Sequence, residues 1–346
     1  MFAGITMSTM PLARIHGVND IKIDQVNLPE VSPKGVLIEV SHCGICGSDL
    51  SYAKFGGLPG AVSPMPIGHE FSGVVKEIGV QVKHLQPGDR VVVNPDSPTN
   101  KIGSGTAVGA FAPYVAVDDV VNDRQAVLAL PPELSFEQGA MVEPLSVAMH
   151  GVNRCQLKPA DKLVIMGAGT IGLCAGIVAR YYGVKDIVIV DLNSNRLEVA
   201  EKLGLTPFKA DEGDLAEFLI KQHGCNQEIG VGIQPDTDVY LEATGVGSVF
   251  QQIVELAKKH SRAVVLGVHI NPAEVNMLKL LMSEMSITAA MSYPTEMPDV
   301  IEMLTSGNVD VSPLISHRFP LSEFNQAFDQ ACRQEEAIKV LVDCKR

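Results

Sequence analysis

Apolar and polar positions change rhythm once along the chain. Between residues 35 and 120 the apolar residues gather in short runs, GVLIEVSH, FSGVVKEIG, DRVVVNP and FAPYVAVDD, separated by Pro and Gly. Runs of that length and punctuation predict hairpins and an irregular barrel rather than strands alternating with helices. From about residue 155 the rhythm alters. Leu163–Met166 reads as an apolar strand, followed by a glycine turn and the helix-compatible stretch Ile171–Tyr182. Ile187–Val190 is a second strand, and Ser194 opens the helix SNRLEVAEKL. Asp238–Leu241, Ala263–Leu266 and Ser286–Ala290 are further strand candidates, with helical segments between them. Strands alternating with helices imply a parallel sheet covered on both faces. After about residue 295 the pattern predicts one more helix, Met297–Thr305, and a closing strand, Ala337–Val342. The expected architecture is α/β. A doubly wound parallel sheet occupies 154–290, and a β-rich domain is assembled from 1–153 and 291–346.

Composition narrows the function classes. The 346 residues include 27 Lys plus Arg against 40 Asp plus Glu, a net charge of −13. That balance argues against nucleic acid or an anionic membrane as the main partner, because both reward clustered cations. The most apolar stretch, Leu163–Gly183, contains Gly167, Gly169, Gly172 and Arg180, which suit a strand–turn–helix rather than a membrane span. The N-terminal MFAGITMSTMPLARIHG has no basic start followed by a signal-length apolar run, so no export signal is expected. Seven scattered Cys, an odd number, fit free thiols in a reducing cytoplasm better than a disulfide framework.

Gly167-Ala168-Gly169-Thr170-Ile171-Gly172 follows an apolar strand and opens a helix. Gly167 allows the tight turn and Gly169 lets the backbone approach a pyrophosphate. Gly172 permits close helix–strand packing, and the helix N-terminus faces the anion. Asp191 ends the next strand 19 residues after Gly172, where an acidic side chain binds adenosine ribose hydroxyls. A carboxylate there repels a ribose phosphate, so the expected cofactor is NAD rather than NADP; Arg196 lies nearby, inside the following helix.

Cys46, His69 and Glu70 combine a thiolate, an imidazole and a carboxylate, a mix that suits zinc. By spacing alone they could equally belong to a surface turn, since 23 residues separate Cys46 from His69. Cys43 with Cys46 spells C-G-I-C, but a redox pair of that kind needs a βαβ setting that residues 35–60 lack. Cys43 is expected to be a buried small residue.

The motifs GICGSD at 44–49, GHEFSG at 68–73, PGDRV at 87–91 and EPLSVAMHG at 143–151 share one order and spacing with a known family. So do GAGTIG at 167–172, EATG at 242–245 and SHRFPL at 316–321. The chain resembles, nearly end to end, the zinc-dependent medium-chain alcohol and polyol dehydrogenases, with sorbitol, butanediol and threonine dehydrogenases as relatives. The resemblance implies a Rossmann domain joined to a GroES-like catalytic domain. It implies that Cys46, His69 and Glu70 hold a catalytic zinc, with Glu143 beside it as a ligand or through a water. Which glutamate is the direct ligand stays open. Asp49 matches an acid that orients His69, and Ser48 matches a hydroxyl that contacts the reacting alcohol. Thr244, Gly245 and Val268 match the nicotinamide side of the cofactor site.

Three departures from that family stand out. No Cys lies between Arg90 and Tyr114, where many relatives bind a structural zinc through four cysteines, so one zinc per subunit is expected. Ser51 stands where relatives often carry a proton-relaying His; release is then expected through ordered water, with Glu143 as a possible base. Ser292-Tyr293 replaces an Arg–Tyr pair. Tyr52, Phe55, Phe111 and Met291 are candidates for a more apolar substrate pocket, with core packing as each one's default. His150 and His317 are read as structural. The expected reaction is NAD-linked oxidation of a secondary alcohol, diol or polyol to the ketone, and the reverse, in a homodimer or homotetramer. The run MSITAAM at 285–291 is a candidate for the joining edge. The alternatives are a zinc-free reductase of quinones or activated double bonds, and a non-catalytic NAD-binding protein.

Overall fold

In a computed structural model describing residues 9–293 and 295–345, the short apolar runs pair into a seven-stranded sheet. Its path runs through Val127–Ala129, Arg90–Val93, Glu70–Ile78, Val36–Gly44, Lys339–Asp343 and Ile315–Pro320, with Tyr114–Val117 also paired to Val36–Gly44. Val36–Gly44 is buried along most of its length because strands flank it on both sides. Register shifts after Leu37 and Val40 bring Gly44 opposite Glu70 on one neighbour, while the other neighbour sets Leu341 opposite Gly44. The central strand therefore ends between the strand that starts with Glu70 and the one that starts with Lys339. A second sheet joins Asp20–Asn27, Thr9–Gly17 and Met65–Pro66. This hairpin lies outside the predicted runs, and the burial of Thr9–Gly17 follows no strict alternation.

The alternating half forms a six-stranded, all-parallel sheet. Its order is Thr206–Lys209, Asp186–Asp191, Lys162–Met166, Val239–Glu242, Arg262–Val265, Ser286–Ala289. The first strand in sequence sits between the second and the fourth, so the strand order reverses there. A ligand crevice opens outside the carboxyl ends of strands at such a point, here beside Met166 and Glu242, which are direct register partners. Thr206–Lys209 was not among the predicted strands. It is an edge strand whose TPFK offers Phe208 as its one buried side chain, and one apolar residue makes no pattern.

The chain divides into two units, Met1–Glu143 with Ile315–Arg346, and Pro144–Leu314. The seams thus lie at 143/144 and 314/315 rather than at 153/154 and 290/291. Helix Val142–Arg154 is anchored in the parallel-sheet unit, where Arg154 donates to Thr288 Oγ1 (2.7 Å) and Ala289 O (3.3 Å). His150 is bonded to buried Glu296 at 2.8 Å. Helix Met297–Thr305 follows Glu296 and buries Val300, Met303 and Leu304 in the same unit. No helix among the described residues is long and apolar enough to cross a membrane.

Candidate active site

The metal-binding candidates converge in the β-rich unit. Cys46 is the N-cap of helix Gly47–Phe55, and Asp49 in the first turn reaches back to accept the Cys46 N–H at 2.9 Å. His69 and Glu70 follow the left-handed Gly68, which has φ +96° and no room for a Cβ beside Phe111. One ligand atom from each of Cys46, His69 and Glu70 lies within 4.8 Å of the others. Ligand atoms around a tetrahedral zinc stand about 3.3–3.8 Å apart, so the group fits that ion. His69 Nδ1 is 3.6 Å from Asp49 Oδ1 and has no hydrogen-bond partner, although it is buried. Burial alone would push the His69 imidazole down. The Asp49 carboxylate and Cys46 sulfur instead raise it well above its ordinary value, so the pocket favours positive charge.

Two contributors escaped the sequence reading. Lys339 is 2% exposed; its Nζ lies 2.5 Å from Glu70 Oε2 and donates to Ile45 O at 3.1 Å. Burial would depress its pKa, but Glu70, Cys46 and Glu143 hold it above the lysine range. Gly44 makes this pairing possible: a Cβ there would stand 2.2 Å from Glu70 Oε2 and 3.3 Å from Lys339 Cδ. The one available signal was a lysine inside an apolar closing strand, a residue that is seldom buried unless paired.

Glu143, 6% exposed in the first turn of its helix, does not join the three-ligand group. Ser48 sits half-buried in the turn after Cys46. Ser51 is exposed and donates to Gly47 O at 3.1 Å. Cys43 is fully buried, and burial pushes its thiol well up, as expected of an inert packing residue. Among the pocket candidates, Phe111 is wholly buried against Phe324, with ring centroids 4.9 Å apart, and belongs to the core. Tyr293 is buried and Met291 exposed. His317 bonds to Ser316 Oγ at 3.0 Å. The segment that lacks cysteines is knit by Asn100, which accepts from Asp118 N (2.7 Å) and donates to Thr99 Oγ1 (2.8 Å) and Asp119 O (3.3 Å).

In the parallel-sheet unit the glycine turn contains both a tightly packed and an open glycine. A Cβ at Gly172 would lie 1.8 Å from Gly167 O, so close packing demands glycine there. Gly167 has φ +106°. A Cβ at Gly169, which caps helix Thr170–Tyr181, would meet nothing nearer than Arg196 Nη1 at 3.9 Å. The protein leaves space at that helix N-terminus, as approach of a pyrophosphate requires. Ile171 lies in the same first turn. Asp191 accepts from Ala168 N (2.7 Å) and Asn193 N (2.9 Å), which aims the end of its strand at the turn. Arg196 places Nη1 4.0 Å from Asp191, and its buried Nε has no partner. Across the switch point, Thr244 and Gly245 form a turn on Glu242, and Val268 is 81% exposed.

Residues 32–131 match the alcohol dehydrogenase GroES-like domain family, and residues 170–306 match the zinc-binding dehydrogenase family. Human sorbitol dehydrogenase is 31% identical over 348 residues, covering 95% of this chain and 94% of that protein. The crystal structure of 2R,3R-butanediol dehydrogenase from Bacillus subtilis superposes with a TM-score of 0.86 at 29% identity, covering 96% and 99% of the two chains. An alcohol dehydrogenase from Escherichia coli CFT073 in complex with NADH gives 0.85 at 26% identity, covering 97% and 99%. The chain therefore belongs to the zinc-binding medium-chain alcohol and polyol dehydrogenases, with a GroES-like domain and a Rossmann NAD-binding domain.

Proposed function

We propose that this enzyme oxidises a secondary alcohol, diol or polyol to the corresponding ketone with NAD, and runs the reverse reaction. The observation that carries the reading is the convergence of Cys46, His69 and Glu70 in one unit, with open space over Gly169 beside Asp191 in the other. Bound at the three ligands, zinc would act as a Lewis acid that lowers the pKa of the substrate hydroxyl. Three protein ligands leave a position for substrate. Glu70 is the third ligand in this reading and Glu143 a neighbouring carboxylate. Ser48 would hydrogen-bond the substrate hydroxyl, and the proton would leave through ordered water with Glu143 as base. Asp191 takes the ribose hydroxyls, the helix N-terminus at Gly169–Thr170 the pyrophosphate, and Arg196 the adenosine side. The intact ligand set opposes a zinc-free reductase. The loss of the cation before Tyr293 favours small diols over phosphorylated sugars, which benefit from polar anchoring.

The subunits assemble as a homodimer or homotetramer in this reading. Support comes from the sheet edge at Ser286–Ala289, where Ile287 is 40% exposed, and from Leu278 and Leu281 on the preceding helix, both about 70% exposed. Seven free thiols fit a reducing cytoplasm. Metal analysis with NAD reduction on a panel of secondary alcohols, diols and polyols tests the reaction. One zinc per chain and chelator-sensitive turnover are expected; a count of two would overturn the single-zinc expectation, and turnover indifferent to chelation would overturn the zinc-dependent reaction. Light scattering that reports a monomer would remove the assembly.

A further inference from the structure

Glu242 is a wholly buried carboxylate at the carboxyl end of its strand. Its Oε1 accepts the N–H of Thr244 (2.7 Å) and of Gly245 (2.9 Å), together with the Thr244 hydroxyl. Its carbonyl oxygen accepts from Leu266 N (2.8 Å) and Gly267 N (3.0 Å). Its Oε2 pairs with His269 Nε2 at 2.9 Å. One side chain thus fastens the two loops that follow the adjacent strands Val239–Glu242 and Arg262–Val265, the Thr244–Gly245 turn and the Gly267–His269 segment. The two loops interlock closely. A Cβ on Gly267 would lie 2.1 Å from Gly245 N and 2.6 Å from Glu242 Oε2, and a Cβ on Gly245 would lie 2.5 Å from Val268 O.

Beyond Gly267 the hold becomes sparse. From Val268 to Val275, the hydrogen bonding seen among the described residues is the His269–Glu242 bond alone. Val268 and Ile270 on either side of His269 are 81% and 70% exposed, so their side chains contribute little packing. The imidazole itself is 16% exposed and stands edge-on to Phe250. An ionised carboxylate only accepts, so His269 Nε2 donates whether the ring is neutral or protonated. Segments with few buried contacts and few bonds open at low free-energy cost, and a ligand held by such a segment binds at the expense of ordering it.

We propose that His269 is a positioning residue of the dinucleotide site: through Glu242 it orders the Gly267–His269 backbone on which the nicotinamide end of NAD docks. The inference rests on the NAD reading above. No catalytic step passes through His269, and none is needed for its effect. Loss of the bond leaves zinc and substrate binding alone and weakens the cofactor.

The test compares the wild-type holoenzyme with His269→Ala and His269→Gln, whose amide retains a donor. NADH binding is followed by the change in dihydronicotinamide fluorescence, and KM for NAD, KM for the alcohol and kcat are measured separately. A hydrogen bond to a charged group supports an expected weakening of about tenfold or more for NADH and a parallel rise in KM for NAD with His269→Ala. KM for the alcohol stays unchanged and His269→Gln recovers most of the loss. Equal NADH affinity in the wild type and His269→Ala overturns the proposal while leaving the dehydrogenase reading intact. So does loss of thermal stability alone. A wild-type protein that fails to bind NADH removes both.

Discussion

Replacing Lys339 by Met should make the stability of the catalytic unit depend on zinc. The lysine is 2% and Glu70 1% exposed, and the two are paired at 2.5 Å. Methionine fills a similar volume without the charge, so Glu70 would keep its burial and lose its cation. Removing one partner of a buried pair costs about 3–5 kcal/mol, because the remaining charge is uncompensated. The transition of a unit this size moves by roughly 2–4 °C per kcal/mol, so the zinc-free variant should melt roughly 6–20 °C below zinc-free wild type. Zinc bound to Glu70 would return a cation to the carboxylate, and binding only to the folded state adds stability. The gap should therefore narrow on loading. Calorimetry on chelated and zinc-loaded samples measures both quantities. A second variant guards the argument. Lys339→Met with Glu70→Gln removes the stranded charge and should be more stable, zinc-free, than Lys339→Met alone, a coupling that a double-mutant cycle isolates. Zinc-free Lys339→Met melting within about 2 °C of wild type would refute the reasoning, since burial at that level allows no cheap escape to water.

The remaining predictions touch separate parts of the fold. Gly172→Ala should disrupt folding, because its Cβ would stand 1.8 Å from Gly167 O. Gly169→Ala should fold normally and bind NADH several-fold more weakly, which thermal melts and fluorescence titration would separate; equal melts for the two would contradict the division. Ser51→His should shift the pH profile of turnover, since imidazole titrates near neutrality and a hydroxyl does not; an unchanged rate and profile would remove position 51 from proton release. The bidentate bond from Arg318 holds the Glu137 carboxyl below its usual range. A depressed carboxylate adds stability above its unfolded pKa and loses it as pH falls through the folded one. Arg318→Ala should thus melt lower than wild type at pH 7, with the difference fading as pH drops below about 4; a difference that grew in acid would reverse the sign.

The parts legible in sequence were those with a repeating or local cause. Ser194 opens its helix behind the Asn193 cap, and Leu163–Met166 is a fully buried strand, as hydrophobic periodicity requires. The glycine turn was readable because Gly172 packs on Gly167 only five positions away, and Asp191 because it closes the next apolar strand. Edge elements were not. Thr206–Lys209 buries one apolar side chain, and the seam at Glu143 falls inside a continuous helix, where composition does not change. Phe111 was a pocket candidate with core packing as its default, and it is wholly buried against Phe324 in the core.

Motif order in the sequence identified the family and pointed to the candidate metal-binding trio and the glycine turn, because those features lie in short stretches whose chemistry is local. Partnerships formed across long stretches of chain were left to the tertiary structure. Lys339 meets Glu70 from 269 positions away, and Gly44 opposes Glu70 only because register shifts and neighbouring strands bring them together. His269 meets Glu242 because consecutive parallel strands end side by side. A buried charge needs a counterpart, but sequence does not say which residue will be close enough to supply it. The three-dimensional arrangement assigned Lys339 to Glu70 and His269 to Glu242.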